Sequence, residues 1–293
     1  MDINSINKCT FSGHETFACK SLWLKKGYDF NQNNGSFNDE AAVVDLGVGK
    51  NMVSSIRYWY KAFGLSQDSK TVWIADYILD SENGKDPYLE DLGTLWLMHF
   101  LLIHSDEASL YKMFFVDFQK ERRLFDREQV VNFVKRKMME SGKGNQFNEN
   151  TVRKDVGVLL LNYCLPRNPQ SNEDFSTLLM DLDLLRQSEK KEKSEDNKDK
   201  YFFNIEGKKQ VTPEMFLFAL LLTKEDADNS VSYDTLRDVG LMFCMTDLEV
   251  IDMLNQLSET YSETLTYSDV AGIRQLQFTQ PMDAKQVLEK YYE

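Results

Sequence analysis

Two apolar-periodic segments with almost nothing between them constrain this chain more than any other feature. "DEAAVVDLG", beginning at Asp39, and "NMVSSIRYWYKAFGL", beginning at Asn51, are separated only by "VGK". Apolar residues recurring every three or four positions predict amphipathic helices, and a three-residue join predicts a helix-turn-helix. With Asp39 as the first position, Gly47 is the ninth, where the turn needs a residue that tolerates positive φ. Val53 and Ile56 fall at the fifteenth and eighteenth positions, which point inward. Val43 occupies the fifth, where a smaller residue is usual.

Most of the remaining chain also predicts helices. Ser12 followed by Glu15 has the spacing of a capping box, so "HETFACKSLWLKK" is expected to be a helix that Gly27 ends. "KTVWIADYIL" suits a strand or short helix that could support a wing. Helices are expected in "PYLEDLGTLWLMHFLLIHS", "SLYKMFFVDFQKERR", "DREQVVNFVKRKMMESG" and "ENTVRKDVGVLLLNYC", the last capped by Asn148 or Asn150 and stopped by Pro166 and Pro169. Beyond a charged, apolar-free stretch, "TPEMFLFALLLTK" and "TDLEVIDMLNQLSETY" predict helices and the alternation around "DVAG" a β-hairpin.

Composition narrows the function classes. The net charge is −13 over 293 residues with 42% hydrophobic residues, which describes a soluble globular protein with one large core or two to three smaller ones. "LGTLWLMHFLLIH" is too short for a membrane span, and the start has no signal-peptide pattern. Cys9, Cys19, Cys164 and Cys244 form no CxxC pair and are expected to be reduced thiols in a bacterial-type cytoplasm.

Several chemical motifs begin and fail. Cys9-x4-His14-x4-Cys19 matches half of a zinc knuckle, but Ile6 stands where a first cysteine pair would need a ligand. Ala18 stands four residues after His14, which removes HExxH chemistry. "LGVGKN" resembles a phosphate loop, yet Val44 and Asn51 occupy the positions of its first glycine and its hydroxyl. His99 and His104 lie on an apolar segment and are expected at the edge of the core. With no nucleophile-base pair, carboxylate pair or full ligand set, a non-enzyme without cofactor or metal is expected.

Charge is unevenly distributed. Leu46 to Gln67 holds Lys50, Arg57 and Lys61 and no acid, and Lys120 to Lys154 carries ten basic and five acidic residues. Glu206 to Glu293 carries seven basic and sixteen acidic residues. A local basic surface in an acidic chain fits DNA held at one place rather than coated broadly.

Three stretches, "FSGHETFACKSLWLKKGYDF", "LGVGKNMVSSIRYWYKAFGL" and "DPYLEDLGTLWLMHFLL", resemble a bacterial family, domain of unknown function 4007. Its signature is matched by Phe11 to Phe17, Trp23 to Lys26, Gly47 to Val53, Ser55 to Arg57, Trp59, Asp86 to Asp91 and Thr94 to Leu97. The resemblance implies an accessory protein coded near DNA-modification and phage-defence genes, phosphorothioation systems among them. Cys9 and Cys19 lie outside the signature.

The expected fold is mainly α with small β-hairpins: a winged-helix-like domain at 1–85, a central helical region at 86–185, a charged linker at 186–200, and a second winged-helix-like domain at 201–293. The expected function is a non-catalytic, double-stranded-DNA-binding component of a modification or defence system. The alternative is a scaffold whose winged-helix units bind partner proteins of such a system. A homo-oligomer is a separate partner expectation. The expected DNA-binding residues are Lys50, Asn51, Ser54, Ser55, Arg57 and Lys61, with Val53, Ile56 and Trp59 facing inward. Lys50 and Asn51 would hold phosphates, Arg57 a phosphate or guanine edge, and Lys61 the DNA backbone. An Arg57 buried against an acid such as Asp45 would instead be a structural ion pair.

Overall fold

The computed structural model describes residues 9–68, 70–166, 176–188, 199–206, 210–224, 229–270 and 272–293. They fall into two compact units, 9–204 and 205–293, both mainly helical with small antiparallel sheets.

The larger unit starts with an irregular loop and then α1 (Trp23–Gln32), α2 (Ala42–Leu46) and α3 (Lys50–Ala62), which pack on one another. Phe30, Ala42, Leu46 and Val53 form their shared apolar cluster, covered by Phe37 and Val48. The hairpin β1 (Ser66–Gln67) and β2 (Lys70–Thr71) leads to α4 (Trp73–Leu79). Asp91 caps α5 (Leu92–His104), which is buried on nearly every side. From α6 (Ser109–Lys112) the helix widens into a π-turn at Met113–Phe118 and ends as α7 (Gln119–Glu121). That widening lets Met113, Phe114, Phe115, Val116 and Phe118 all face the core. After β3 (Leu124–Phe125) come α8 (Arg127–Glu140), with an Asp126–Gln129 capping box, and α9 (Glu149–Tyr163), capped by Asn148. The strands β4 (Leu185–Gln187) and β5 (Tyr201–Phe203) complete a sheet ordered β3-β5-β4.

This sheet draws Tyr201–Phe203 into the larger unit, so the division falls after Asn204 rather than before 201. The same unit runs on across 85/86 and 185/186, because bonds such as His14 to Asp155 tie its start to its later helices. Ser188 donates its backbone N–H to the Lys200 carbonyl at 2.8 Å, while residues 189–198 of the charged stretch, like Pro169, lie outside the described residues.

The smaller unit contains α10 (Pro213–Thr223), β6 (Ser230–Ser232), α11 (Tyr233–Met242), α12 (Asp247–Thr260), β7 (Leu265–Val270), β8 (Ile273–Phe278) and α13 (Ala284–Tyr291). The expected hairpin forms, with Leu265 opposite Phe278 and Val270 opposite Ile273, and β6 pairs on its β8 side. Leu236, Val239, Val250, Leu254, Leu257 and Leu276 are buried. Among the described residues, no helix is long and apolar enough to cross a membrane.

Two expectations about the N-terminal stretch fail. Ser12 caps no helix: Ser12, Gly13, Glu15 and Thr16 all have positive φ, between 47° and 102°, which no helix start allows. The first helix begins at Trp23 and runs through Gly27. Gly27 serves a helix crossing instead, since a Cβ there would lie 3.3 Å from Ile56 Cγ2 and 3.4 Å from Tyr60 Cβ.

Candidate nucleic-acid interface on α3

The turn before α3 follows from two glycines. Gly47 ends α2 at φ 64°, its N–H donating to the Val44 carbonyl and that of Val48 to the Val43 carbonyl. Gly49 stands at the start of α3 with no side chain to cap it. Among the described residues, the first-turn amides of Lys50, Asn51 and Met52 have no side-chain acceptor. Those amides carry the positive end of the helix dipole, which suits an anion.

Beyond the first turn the helix separates two chemistries. Val53, Ile56, Trp59, Tyr60 and Ala62 are buried. Val53 and Ile56 each contribute about 1.5–3 kcal/mol by leaving water. Lys50, Ser54, Arg57 and Lys61 are exposed and stand at i, i+4, i+7 and i+11, one stripe along the opposite side, with Asn51 exposed beside its start. Lys50 and Asn51 make no side-chain hydrogen bond or ion pair among the described residues. Lys61 Nζ lies 3.0 Å from Glu107 Oε2. The Arg57 guanidinium donates to Asn38 Oδ1 at 2.6 Å, so it pairs with a neutral amide and not with Asp45. Ser54 Oγ donates to the Lys50 carbonyl within the helix.

Ser55 is the exception among the expected interface residues. It is fully buried and donates to the His14 carbonyl at 2.9 Å. One position beyond Ser54, it turns toward the N-terminal loop, and it helps to hold the helix rather than to touch DNA.

That loop clasps one side of α3, while α1 packs on another. Trp59 Nε1 donates to the Phe17 carbonyl at 3.1 Å, and the His14 ring stacks on Trp59. Gly13 lies so close to Tyr58 that a Cβ would stand 2.6 Å from its ring, and its φ of 102° also requires glycine. Asp155 of α9 locks the loop: Oδ2 accepts from Ser12 N–H at 2.8 Å and Oδ1 from His14 Nε2 at 3.0 Å. Thr16 N–H donates to His14 Nδ1, which assigns the ring proton to Nε2. Burial, then the carboxylates of Asp155 and Glu107, push the Tyr58 phenol above its ordinary range. Three non-glycine residues at positive φ cost about 1–2 kcal/mol each, and these buried bonds offset that strain.

Cys19 does not join His14. Its backbone N–H donates to Asn162 Oδ1, and burial pushes its thiol well up. Among the described residues, no group of three or more His, Cys, Asp or Glu side chains comes together as metal ligands. His99 is buried with Nδ1 2.8 Å from the Tyr163 hydroxyl, and His104 stacks on Phe100.

No sequence motif marks Asp155 and Asn162, which hold the loop and Cys19. Both lie on the buried side of α9 with Val152, Val156 and Leu159. A carboxylate and an amide at helical spacing on an apolar stripe were the available signal, because buried polar groups need partners.

This defines a helical protein that presents a basic helix from beneath a polar-clamped loop. It belongs to the family described as protein of unknown function DUF4007, whose profile matches residues 11–292. Two solved structures are similar to it, both at 27% identity. A magnesium ion-bound SspB crystal structure gives a TM-score of 0.83 over 99% of this chain and 90% of that one. A second SspB crystal structure gives 0.82 over 100% and 90%. No curated protein matches the chain.

Proposed function

We propose that this protein binds double-stranded DNA through α3, as a non-catalytic component of a bacterial DNA-modification or phage-defence system acting in the cytoplasm. The observation that carries the proposal is the Lys50–Ser54–Arg57–Lys61 stripe above an uncapped helix start, in a chain of net charge −13. Phosphates would sit at Lys50, Asn51 and the first-turn amides, and Arg57 can exchange its neutral Asn38 partner for a phosphate or a guanine edge.

The finer fold assignment belongs to this reading. In the smaller unit, the order α10, β6, α11, α12, β7, β8 with a β6-β8-β7 sheet is what a winged helix would have. In the larger unit, α1 to α3 and the two-residue strands β1 and β2 would be a reduced version. The system type rests on the family resemblance. The magnesium ion named with one SspB structure is a property of that protein.

One observation favours a second reading, a scaffold that binds proteins. The solvent side of α12 displays Asp247, Leu248, Asp252 and Glu259, and the helix has no basic residue. Such a surface repels phosphates and suits a basic protein partner.

Fluorescence anisotropy of a labelled duplex at two salt concentrations separates the readings. A Lys50→Ala, Arg57→Ala double variant is expected to fold normally, lose about tenfold or more in affinity, and shorten the salt slope by about one to two. Absent wild-type binding at low salt, or equal binding by the variant, would leave the scaffold. Incubation with supercoiled plasmid and magnesium tests the non-catalytic part. Conversion to open circles, lost in the double variant, would make the protein a nuclease.

A further inference from the structure

A cleft of about 190 Å³ opens beside the C-terminal half of the α3 stripe. Arg57 and Lys61, one turn apart on the exposed stripe, line it together with the residues that give it its chemistry. Phe37 and Tyr60 are its aromatic lining: Phe37 is half-buried edge-on to Phe30, and Tyr60 is fixed by a hydroxyl contact with Thr71. Asn31, whose amide donates to Thr71, completes the lining together with Ser66 of β1 and Asp68 just after it. Among the described residues, the Ser66 hydroxyl and the Asp68 carboxylate have no hydrogen-bond or ion-pair partner.

This combination excludes some ligands. A free phosphate would meet the Asp68 carboxylate. A drug-sized apolar molecule needs some 300 Å³ or more, which the cleft does not offer. A flat group with amino hydrogens to donate fits: aromatic contact for its face, a carboxylate acceptor for its edge, and cations placed for the phosphates flanking it.

Resting on the DNA reading of α3, the geometry points to a cleft for a single unstacked nucleobase carrying an exocyclic amino group, taken from the nucleic acid that α3 holds. Asp68 accepts from that amino group, Ser66 hydrogen-bonds the neighbouring edge, and Phe37 contacts the ring. Arg57 and Lys61 hold the phosphates on either side. Cytosine, adenine and guanine satisfy Asp68 through their amino groups; thymine has a carbonyl in that place and only its N3–H to donate, and is disfavoured. Taking a base out of the stack costs a few kcal/mol, so an extrahelical base is preferred to a paired one.

The test compares four labelled duplexes: fully paired, and bulged by one cytosine, adenine or thymine. Wild type is expected to bind the cytosine or adenine bulge about tenfold more tightly than the paired duplex, and the thymine bulge at least threefold less tightly than those. Ser66→Trp, which fills the cleft, should abolish the preference and leave paired-duplex affinity within about twofold. Asp68→Asn, which keeps the left-handed turn residue, should bring cytosine and thymine bulges within about twofold of each other. Circular dichroism checks that both variants are folded. Equal binding of bulged and paired duplexes overturns the base cleft and leaves the DNA reading standing, whereas absence of all duplex binding removes the DNA reading itself. A preference that survives in Ser66→Trp would mean that DNA flexibility, and not this cleft, is being read, and would also overturn the inference.

Discussion

Among the described residues, two pairs of consecutive helices, α2–α3 and α11–α12, are built with the same turn and opposite chemistry. In α2–α3 the N–H groups of Gly47 and Val48 reach back three and five residues, and in α11–α12 those of Cys244 and Met245 bond to Leu241 and Gly240 at the same offsets. Each turn has one left-handed residue, Gly47 at φ 64° and Cys244 at φ 54°. Past the turn they diverge. The start of α3 has no side-chain cap, and its exposed stripe is basic. The start of α12 is closed by the Thr246–Glu249 capping box, whose carboxylate occupies the place an anion would take, and the helix carries Asp247, Glu249, Asp252 and Glu259. The shared turn geometry therefore carries no functional reading by itself; the two helices differ in the cap and in the exposed stripe.

The anchoring of the two helices differs most in energy. The loop over α3 depends on Asp155, 5% exposed, which satisfies both Ser12 N–H and His14. Asp155→Ala strands two groups at roughly 1–3 kcal/mol each and is expected to cost about 2–5 kcal/mol in urea unfolding. The corresponding polar tie of α12, Ser258 Oγ accepting from Tyr267 N–H at 2.8 Å, is only partly buried, and Ser258→Ala should cost about 1 kcal/mol. Similar losses in both variants would remove the distinction between a clamped helix and one held by apolar packing.

Charge reversal comes next. On the proposed DNA reading, Lys50→Glu with Arg57→Glu is expected to lower duplex affinity by roughly a hundredfold, two cations having become anions. Asp252→Asn with Glu259→Gln on α12 should change it by less than about twofold, measured on the same duplex at the same salt. A large gain from the α12 changes would place DNA against that helix too.

How much of this could be read from the sequence follows a physical line. The pair at 39–62 and the C-terminal hairpin were legible because turn glycine, apolar spacing and strand alternation are local signals. The inward positions Val53, Ile56 and Trp59 followed from the same period. The stretch 11–22 departs from the expected helix because Ser12 and Glu15 have capping-box spacing, yet both take positive φ and the Ser12 N–H is held by Asp155, 143 positions along the chain. Ser55 was misplaced for a related reason: a small polar residue at the edge of a helix face is decided by its neighbour, here the His14 carbonyl. The cleft beside Arg57 gathers Asn31, Phe37 and Asp68 from three segments with no motif in common, so no local pattern announces it.

The turns themselves offer a smaller contrast. Gly47→Ala meets no atom within 4 Å, so its expected cost of about 1 kcal/mol is that of a Cβ at positive φ. Thr246→Ala should cost a similar amount, about 1 kcal/mol, by opening the capping box of α12. Urea midpoints give both values. A negligible loss for Thr246→Ala would mean that α12 is held by packing regardless of its cap.

The smallest expected effect is the most diagnostic, because stability and binding should move in opposite directions. Gly49 has φ −66° and ψ 158°, ordinary for any residue at a helix start, and no atom lies within 4 Å of where its Cβ would be. A serine there can accept from the first-turn amides as Thr246 does in α12, stabilising α3 by a few tenths of a kcal/mol. The same hydroxyl would occupy amides that the proposed interface leaves for a phosphate. Gly49→Ser should therefore raise the urea midpoint slightly and lower duplex affinity about threefold. Being neutral, it should leave the salt slope unchanged, unlike the Lys50 and Arg57 variants. Unchanged affinity with the stability gain intact would show that DNA lies along the stripe without touching the helix start, and the absent cap would then carry no functional meaning.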